Sequence, residues 1–166
     1  MASTKNNIQI RNHPTEENGY IIPKHYVAGK YQLIDIMEDQ LSKEGFQGWA
    51  KGLILKYTAR VDADNKLRSL TKAKYYLDEL INFLSTTDEI SEEHVKPAYY
   101  KNQNIETIDI IEDQLTPNEL EGFYQGMVIR YICRSTYKNH NLDDFIKAKY
   151  YLDRLINKLK EEQDKK

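Results

Sequence analysis

The chain has little of several residue types on which whole classes of protein depend. Its 166 residues include one cysteine, four prolines and seven glycines. A single thiol, Cys133, excludes an internal disulfide and is typical of a protein of the reducing cytoplasm. Its apolar neighbours predict a helical, buried and inert side chain. The scarcity of proline and glycine leaves few helix breakers and favours a helical protein.

Long apolar runs are missing as well. None approaches the roughly 18 consecutive residues that are typical of a membrane-spanning helix. The N-terminal segment MASTKNNIQIRNHP lacks the apolar stretch of a signal peptide. We therefore expect a cytoplasmic protein that has no membrane partner.

Familiar catalytic and phosphate-binding motifs are not found. The sequence contains neither GxxxxGK[ST] nor GxGxxG, and its four histidines lack the spacing of a zinc site. The net charge of −2 argues against general nucleic-acid binding, which depends on a basic surface. We predict no catalytic residue, no metal and no cofactor (Mg²⁺ only if the protein is an enzyme), and any anion site must be local.

Tyrosine is the residue present in excess. Thirteen tyrosines stand against four phenylalanines. Each tyrosine offers a ring for stacking and a hydroxyl for hydrogen bonding. This excess favours a hydrated aromatic pocket or an interface, with some of the rings at the edge of the core.

The sequence is an internal duplication. Residues 34–60 align with residues 108–134, and residues 67–84 align with residues 142–159. About half of the aligned positions are identical, which indicates duplication rather than chance. Because a three-helix unit of this size has little core of its own, we predict an all-α fold. Its two tandem three-helix repeats would pack as an intrachain pseudo-dimer about a pseudo-twofold axis.

Apolar periodicity and turn residues set the expected boundaries. In the first copy the helices are predicted at about 31–41, 46–60 and 67–84, the last with a buried leucine and alanine stripe. The expected organisation is a flexible arm at 1–22, repeat 1 at 23–84, a linker at 85–96, repeat 2 at 97–159 and a tail at 160–166.

The second helix of each copy carries two glycines four residues apart, Gly48 with Gly52 and Gly122 with Gly126. Glycine inside a helix costs about 0.5–1 kcal/mol relative to alanine, so its presence in both copies needs a reason. Close packing against another helix is the favoured explanation. A flat floor under a ligand ring is the functional alternative, and both explanations can hold together.

The same helix ends in a tyrosine between two cations, KYTAR at 56–60 and RYICR at 130–134. Cations at a helix C-terminus interact favourably with the helix dipole. They can also form an anion site, because arginine binds phosphate or carboxylate in a bidentate manner and the tyrosine can stack on a base.

The third helix carries KAKYYLD in both copies, at 72–78 and 147–153. Lys74 and Asp78 can form an i, i+4 surface pair, although a solvated face does not require seven identical residues in succession. Recent duplication or gene conversion would also explain the identity.

Acidic residues of the first and third helices offer an alternative. Carboxylates at i, i+3 and i+4 could hold Mg²⁺ for phosphate chemistry of the kind seen in all-α nucleotide pyrophosphatases. The favoured explanation is a solvated acidic face. The candidate metal ligands are Glu38, Asp39, Asp78, Glu112, Asp113 and Asp153.

These motifs, taken in order, resemble a known family. The order is P-x-[HY]-Y, an acidic helix, G-x(3)-G-x(3)-[KR]-Y-x-x-R, and a helix containing KAKYYLD. It resembles the SaV-like family of small phage proteins, one podovirus branch of which is described as a nucleotide kinase. The resemblance covers 23–84 and 97–159. The family's G-N-A opening of the second helix is replaced by GWA and GFY, and the second copy has Tyr99 in place of His25.

The resemblance implies a phage or prophage origin, the host cytoplasm as location, and a nucleotide-type ligand. Together with the motifs it defines one candidate set of ligand-binding positions. They are His25, Tyr26, Gly48, Trp49, Gly52, Lys56, Tyr57, Arg60, Lys72, Tyr76, Tyr99, Tyr100, Gly122, Phe123, Gly126, Arg130, Tyr131, Arg134, Lys147 and Tyr151.

Three functions are compatible with these features. The favoured hypothesis is a protein that holds a nucleotide or nucleotide-derived signalling molecule without chemistry, such as a host antiphage immune messenger that it sequesters. The second is a nucleoside monophosphate kinase or a Mg²⁺-dependent nucleotide phosphohydrolase. The third is a protein–protein adaptor whose tyrosines are interface hot spots. The chain could also form a homo-oligomer.

Overall fold

The computed structural model of the chain describes residues 32–60, 65–87, 106–137 and 141–165, and these residues form helices only. The helices are α1 (Leu33–Gln40), α2 (Lys43–Thr58), α3 (Lys66–Thr87), α4 (Thr107–Gln114), α5 (Pro117–Arg134), a short 3₁₀ turn (Ser135–Tyr137) and α6 (Asn141–Asp164). Each repeat therefore contributes three helices, and the all-α tandem fold predicted from the sequence is confirmed.

Side-chain caps fix where the second helix of each repeat begins. The Ser42 hydroxyl accepts a hydrogen bond from the Gly45 backbone nitrogen at 3.1 Å, so α2 begins at Lys43 and not near residue 46 as predicted. In the second repeat Thr116 and Glu119 form a capping box, and Pro117 occupies a first-turn position that needs no donor.

The third helices extend beyond their predicted ends. Helix α3 continues to Thr87, so the first three residues of the predicted linker 85–96 are helical. Helix α6 continues to Asp164 and includes most of the predicted tail 160–166. Neither segment contains the proline or glycine that would end a helix. The predicted arm 1–22 and linker residues 88–96 lie outside the described residues.

Four of the helices form the core. Helix α2 packs on α3, α5 packs on α6, and α3 packs on α6 across the junction of the two repeats, with a smaller contact between α2 and α5. The stripe predicted for α3 is buried: Leu70, Ala73, Leu77, Leu80 and Leu84 are each at most 1% exposed. On the equivalent face of α6, Phe145, Ala148, Leu152 and Leu155 are buried and Leu159 is partly buried. One core is therefore shared by both repeats.

Two crossed ion pairs join the third helices. Lys74 Nζ lies 2.5 Å from Asp153 Oδ1, and Lys149 Nζ pairs with Asp78 Oδ1. Lys74 and Lys149 are equivalent in the two repeats, as are Asp78 and Asp153, so each pair reproduces the other across a pseudo-twofold axis. The contact between Lys74 and Asp78 within α3 is longer, at 3.4 Å. Part of the KAKYYLD identity thus serves the junction between repeats.

The pKa of Lys74 reflects this position. Burial acts to lower the pKa, but the hydrogen bond to Asp153 and the charge of Asp78 contribute in the opposite direction, and the pKa is raised overall. The pair therefore stabilises the junction in its charged form.

Cys133 is exposed, which corrects the prediction of a buried thiol. It lies on α5 next to the buried Ile132, and its repeat-one equivalent, Ala59, is exposed as well. In the part of the chain that the structure describes, no helix has the length and apolar character needed to cross a bilayer.

Candidate ligand-binding site

Three aromatic side chains form a cluster between α2 and α3. The Tyr57 and Tyr76 rings are almost parallel, at an interplanar angle of 1° and a centroid distance of 5.9 Å. The Trp49 ring meets Tyr76 edge-on, with centroids 5.5 Å apart. All three rings are half-buried and packed against the core. The core therefore holds them in place while part of each ring stays accessible, as a stacking surface requires.

Lysine side chains lie next to the Tyr57 ring of this cluster. Lys56 Nζ lies 5.6 Å and Lys72 Nζ lies 5.5 Å from the centre of the Tyr57 ring, within range of a cation–π interaction. The pKa of Lys72 is lowered by burial, and then by the positive charges of Arg68, Arg60 and Lys56. Repulsion between like charges explains the direction of these last contributions.

No carboxylate neutralises this group within the described ranges. Lys56, Arg60, Arg68 and Lys72 form no ion pair with any residue there. The first turn of α3, which precedes Lys72, also contains no acidic residue, although the positive end of a helix dipole favours one. The positive charges of Lys56, Arg60, Arg68 and Lys72 would therefore attract an anion to this part of the repeat.

The second repeat has a similar aromatic cluster, to which Tyr124 adds a further ring where the first repeat has Ala50. The Tyr131 and Tyr151 rings lie 5.9 Å apart at 14°, and Phe123 meets Tyr151 edge-on at 5.9 Å. These residues are the equivalents of Tyr57, Tyr76 and Trp49. In each repeat the structure thus brings three of the candidate ring positions together, and their role in ligand binding stays a prediction.

The charges differ between the repeats. Arg134 lies over the Tyr131 ring at 4.9 Å, and its Nε donates a hydrogen bond to Asp144 Oδ2 at 2.9 Å. Its Nη2 donates to Asp144 Oδ1, so the contact is bidentate. The hydrogen bonds to Asp144 raise the pKa of Arg134.

Two aligned positions produce this difference. Arg68 and Ser69 of the first repeat correspond to Asp143 and Asp144 of the second, where both acids lie in the first turn of α6. Sequence reasoning did not select Arg68, Asp143 or Asp144. The alignment of the repeats shows the difference that would have identified them. Position 68/143 changes from arginine to aspartate, and position 69/144 changes from serine to aspartate.

We name the two groups by their repeats. The first-repeat site consists of Trp49, Tyr57, Tyr76, Lys56, Arg60, Arg68 and Lys72. The second-repeat site consists of Phe123, Tyr131, Tyr151, Arg130, Arg134, Lys147, Asp143 and Asp144.

The comparison with known families matches both repeats. A family model described as a protein of unknown function (DUF3310) matches residues 21–78 and again residues 95–153. The chain belongs to the DUF3310 family. It holds two DUF3310 units in tandem, and each unit contains one of the two sites. No curated protein and no solved structure matches the chain.

The glycines of the DUF3310 units do not pack against any helix that the structure describes. Gly48, Gly52, Gly122 and Gly126 are exposed, and an added Cβ at any of them would meet nothing within 4 Å among the described atoms. The prediction of tight helix packing is therefore wrong, because these positions face away from the buried side of α2 and α5. Gly48 and Gly52 lie on one i, i+4 row with Lys56, so the backbone next to this lysine is open.

The acidic residues do not converge on a metal site. Asp78 and Asp153 are held in the crossed pairs, and Glu112 accepts hydrogen bonds from Tyr124 and Arg154. Across the described ranges, no three His, Cys, Asp or Glu side chains come together in a metal-binding group. The alternative set, which also contained Glu38, Asp39 and Asp113, is thus not brought together.

The remaining predicted ligand contacts concern the segments that precede α1 and α4. His25 and Tyr26 precede the first repeat's helices, and Tyr99 and Tyr100 precede those of the second. All four lie outside the described residues, so they stay predictions.

Proposed function

We propose that this DUF3310 protein binds a nucleotide or a nucleotide-derived signalling molecule and holds it without chemistry. The observation that supports this most is the first-repeat site, where Lys56 and Lys72 lie beside half-buried aromatic rings. These lysines and the nearby Arg60 and Arg68 have no carboxylate partner among the described residues.

The two halves of such a ligand need these two kinds of group. A base or other planar ring gains stabilisation by stacking on tyrosine or tryptophan. A phosphate is bound by arginine through paired hydrogen bonds and by lysine as a point charge. The open backbone at Gly48 and Gly52 would let a flat ligand approach α2 closely.

The surroundings favour holding over reaction. A Mg²⁺-dependent phosphohydrolase needs carboxylates able to bind the metal, whereas Asp78, Asp153 and Glu112 are already engaged by lysine and arginine. A kinase remains the second proposal, and it would require a triphosphate and Mg²⁺ at the same surface. In a phage setting, the holding function would sequester a host immune messenger.

A release experiment tests the proposal. The full chain is incubated with nucleoside mono- and diphosphates, cyclic dinucleotides and ADP-ribose-type signals, washed, and then denatured by heat. We expect one class of ligand to be recovered intact after denaturation, with or without Mg²⁺. Recovery of a converted product that depends on Mg²⁺ or ATP would replace holding by catalysis. Absence of any retained ligand would favour a protein–protein adaptor.

A further inference from the structure

The two sites share their rings but not their charges, and the difference is concentrated at two adjacent positions. The first repeat has Arg68 and Ser69 where the second has Asp143 and Asp144. We infer that only the first-repeat site takes up the phosphate of the ligand, because the Asp144 carboxylate fills the corresponding anion position in the second repeat. This inference rests on the proposed function and specifies which of its two sites is used.

Asp144 is placed as a bound anion would be. Its side chain is only 2% exposed, and both of its oxygens accept hydrogen bonds from the Arg134 guanidinium. Arginine binds a phosphate through the same paired geometry. The carboxylate also lies in the first turn of α6, where the helix dipole favours a negative charge.

The equivalent arginine of the first repeat has no such partner. Arg60 corresponds to Arg134, but Ser69 replaces Asp144 and offers no charge. Arg60 is exposed and makes no ion pair within the described residues, and its charge contributes to the lowered pKa of Lys72. A ligand phosphate would supply the negative charge that the second repeat carries in its own chain.

Overall charge separates the sites in the same direction. Among the described residues, the first-repeat site has four cations and no acid, while the second-repeat site has three cations and two acids. A ligand entering the second-repeat site would have to displace a buried, doubly hydrogen-bonded carboxylate. The ring contacts have similar spacing, with Phe123 in the place of Trp49, so we expect exchange of the two charge positions to transfer binding.

The test is a reciprocal exchange measured with adenosine diphosphate, which carries an aromatic base and two phosphates. Equilibrium dialysis counts the equivalents bound by the full chain. The wild type should bind one equivalent. The variant Asp143→Arg with Asp144→Ser should bind two. The variant Arg68→Asp with Ser69→Asp should bind its single equivalent of adenosine diphosphate with an affinity at least tenfold lower than the wild type.

Fluorescence identifies the occupied site independently. Trp49 is the only tryptophan and lies in the first-repeat site. In the wild type, the change in Trp49 fluorescence should follow the total amount of bound ligand. In the Asp143→Arg/Asp144→Ser variant, it should follow only half of the bound ligand, because the other half occupies the second-repeat site. Circular dichroism on both variants confirms that the helices are retained.

The outcomes separate the two claims. Two equivalents on the wild type would overturn this inference and leave the proposed function standing. One equivalent on a folded Asp143→Arg/Asp144→Ser variant would overturn the inference in the same way. Failure of both proteins to bind adenosine diphosphate would count against the inference, and failure to bind every nucleotide of the release panel as well would count against the proposed function.

Discussion

Reversing the acidic partners of both crossed pairs, Asp78→Lys with Asp153→Lys, should reduce the free energy of unfolding by about 3 kcal/mol. Each change removes a pair that is about two-thirds buried and leaves lysines facing one another at the α3–α6 junction. Breaking a fully buried pair costs about 3–5 kcal/mol and breaking an exposed pair costs about 0–1 kcal/mol. Because the two crossed pairs are intermediate in burial, their loss and the new repulsion between lysines together give a destabilisation of about 3 kcal/mol. Urea unfolding followed by helical circular dichroism measures it.

Exchanging the partners provides the matched control. Adding Lys74→Asp and Lys149→Asp to that variant restores two crossed pairs with their signs reversed and should recover most of the lost stability. The smaller exchange Asp78→Lys with Lys149→Asp keeps both crossed pairs, one of them with its signs reversed, while it removes the contact between Lys74 and Asp78. If this exchange were as unstable as the double reversal, the contact between Lys74 and Asp78 within α3, and not the crossed pairs, would account for the lost stability.

Removing two cations from the first-repeat site, Arg60→Ala with Arg68→Ala, should weaken nucleotide binding by roughly a hundredfold. A hydrogen bond to a charged group contributes about 1.5–3 kcal/mol, and a loss of about 3 kcal/mol is roughly a hundredfold in the dissociation constant. Isothermal titration calorimetry measures the change in affinity, with the ligand that is recovered after heat denaturation in the release experiment.

The folded state should not suffer from this substitution. Both arginines are exposed and repel Lys72, so the melting temperature should stay the same or rise slightly. Lys160→Ala with Lys165→Ala, at the far end of α6, removes the same amount of charge and should leave affinity nearly unchanged. Equal loss in the two variants would mean that general electrostatic attraction, and not the first-repeat site, binds the ligand.

Comparison of the repeats in the sequence was enough to predict the helix count, the buried stripe of α3 and the pairing of the two units. Apolar periodicity and duplication both report on burial, which every member of a helix stripe shares. The crossed pairs were missed because helical spacing shows neighbours on one helix and cannot show that Lys74 reaches Asp153 on another.

The errors at the candidate site have a similar origin. The glycine pairs were assigned to helix packing because glycine destabilises a helix and its presence there needs a compensating contact. The spacing of the glycines does not reveal whether another helix packs against them. Arg68 and Asp144 were overlooked because they lie outside the motifs that the two repeats share. Only the contact between Arg134 and Asp144, ten residues apart, shows that the difference between the repeats sets the charge of a site.

Fluorescence of Trp49 tests the central claim most directly, because the chain has a single tryptophan and it belongs to the first-repeat site. Titration of the wild type with the nucleotide panel should give a saturable change at one equivalent for a phosphorylated ligand. The matching unphosphorylated nucleoside should give little change. A flat response to every phosphorylated ligand, with Trp49 still responding to denaturation, would contradict a nucleotide site between α2 and α3.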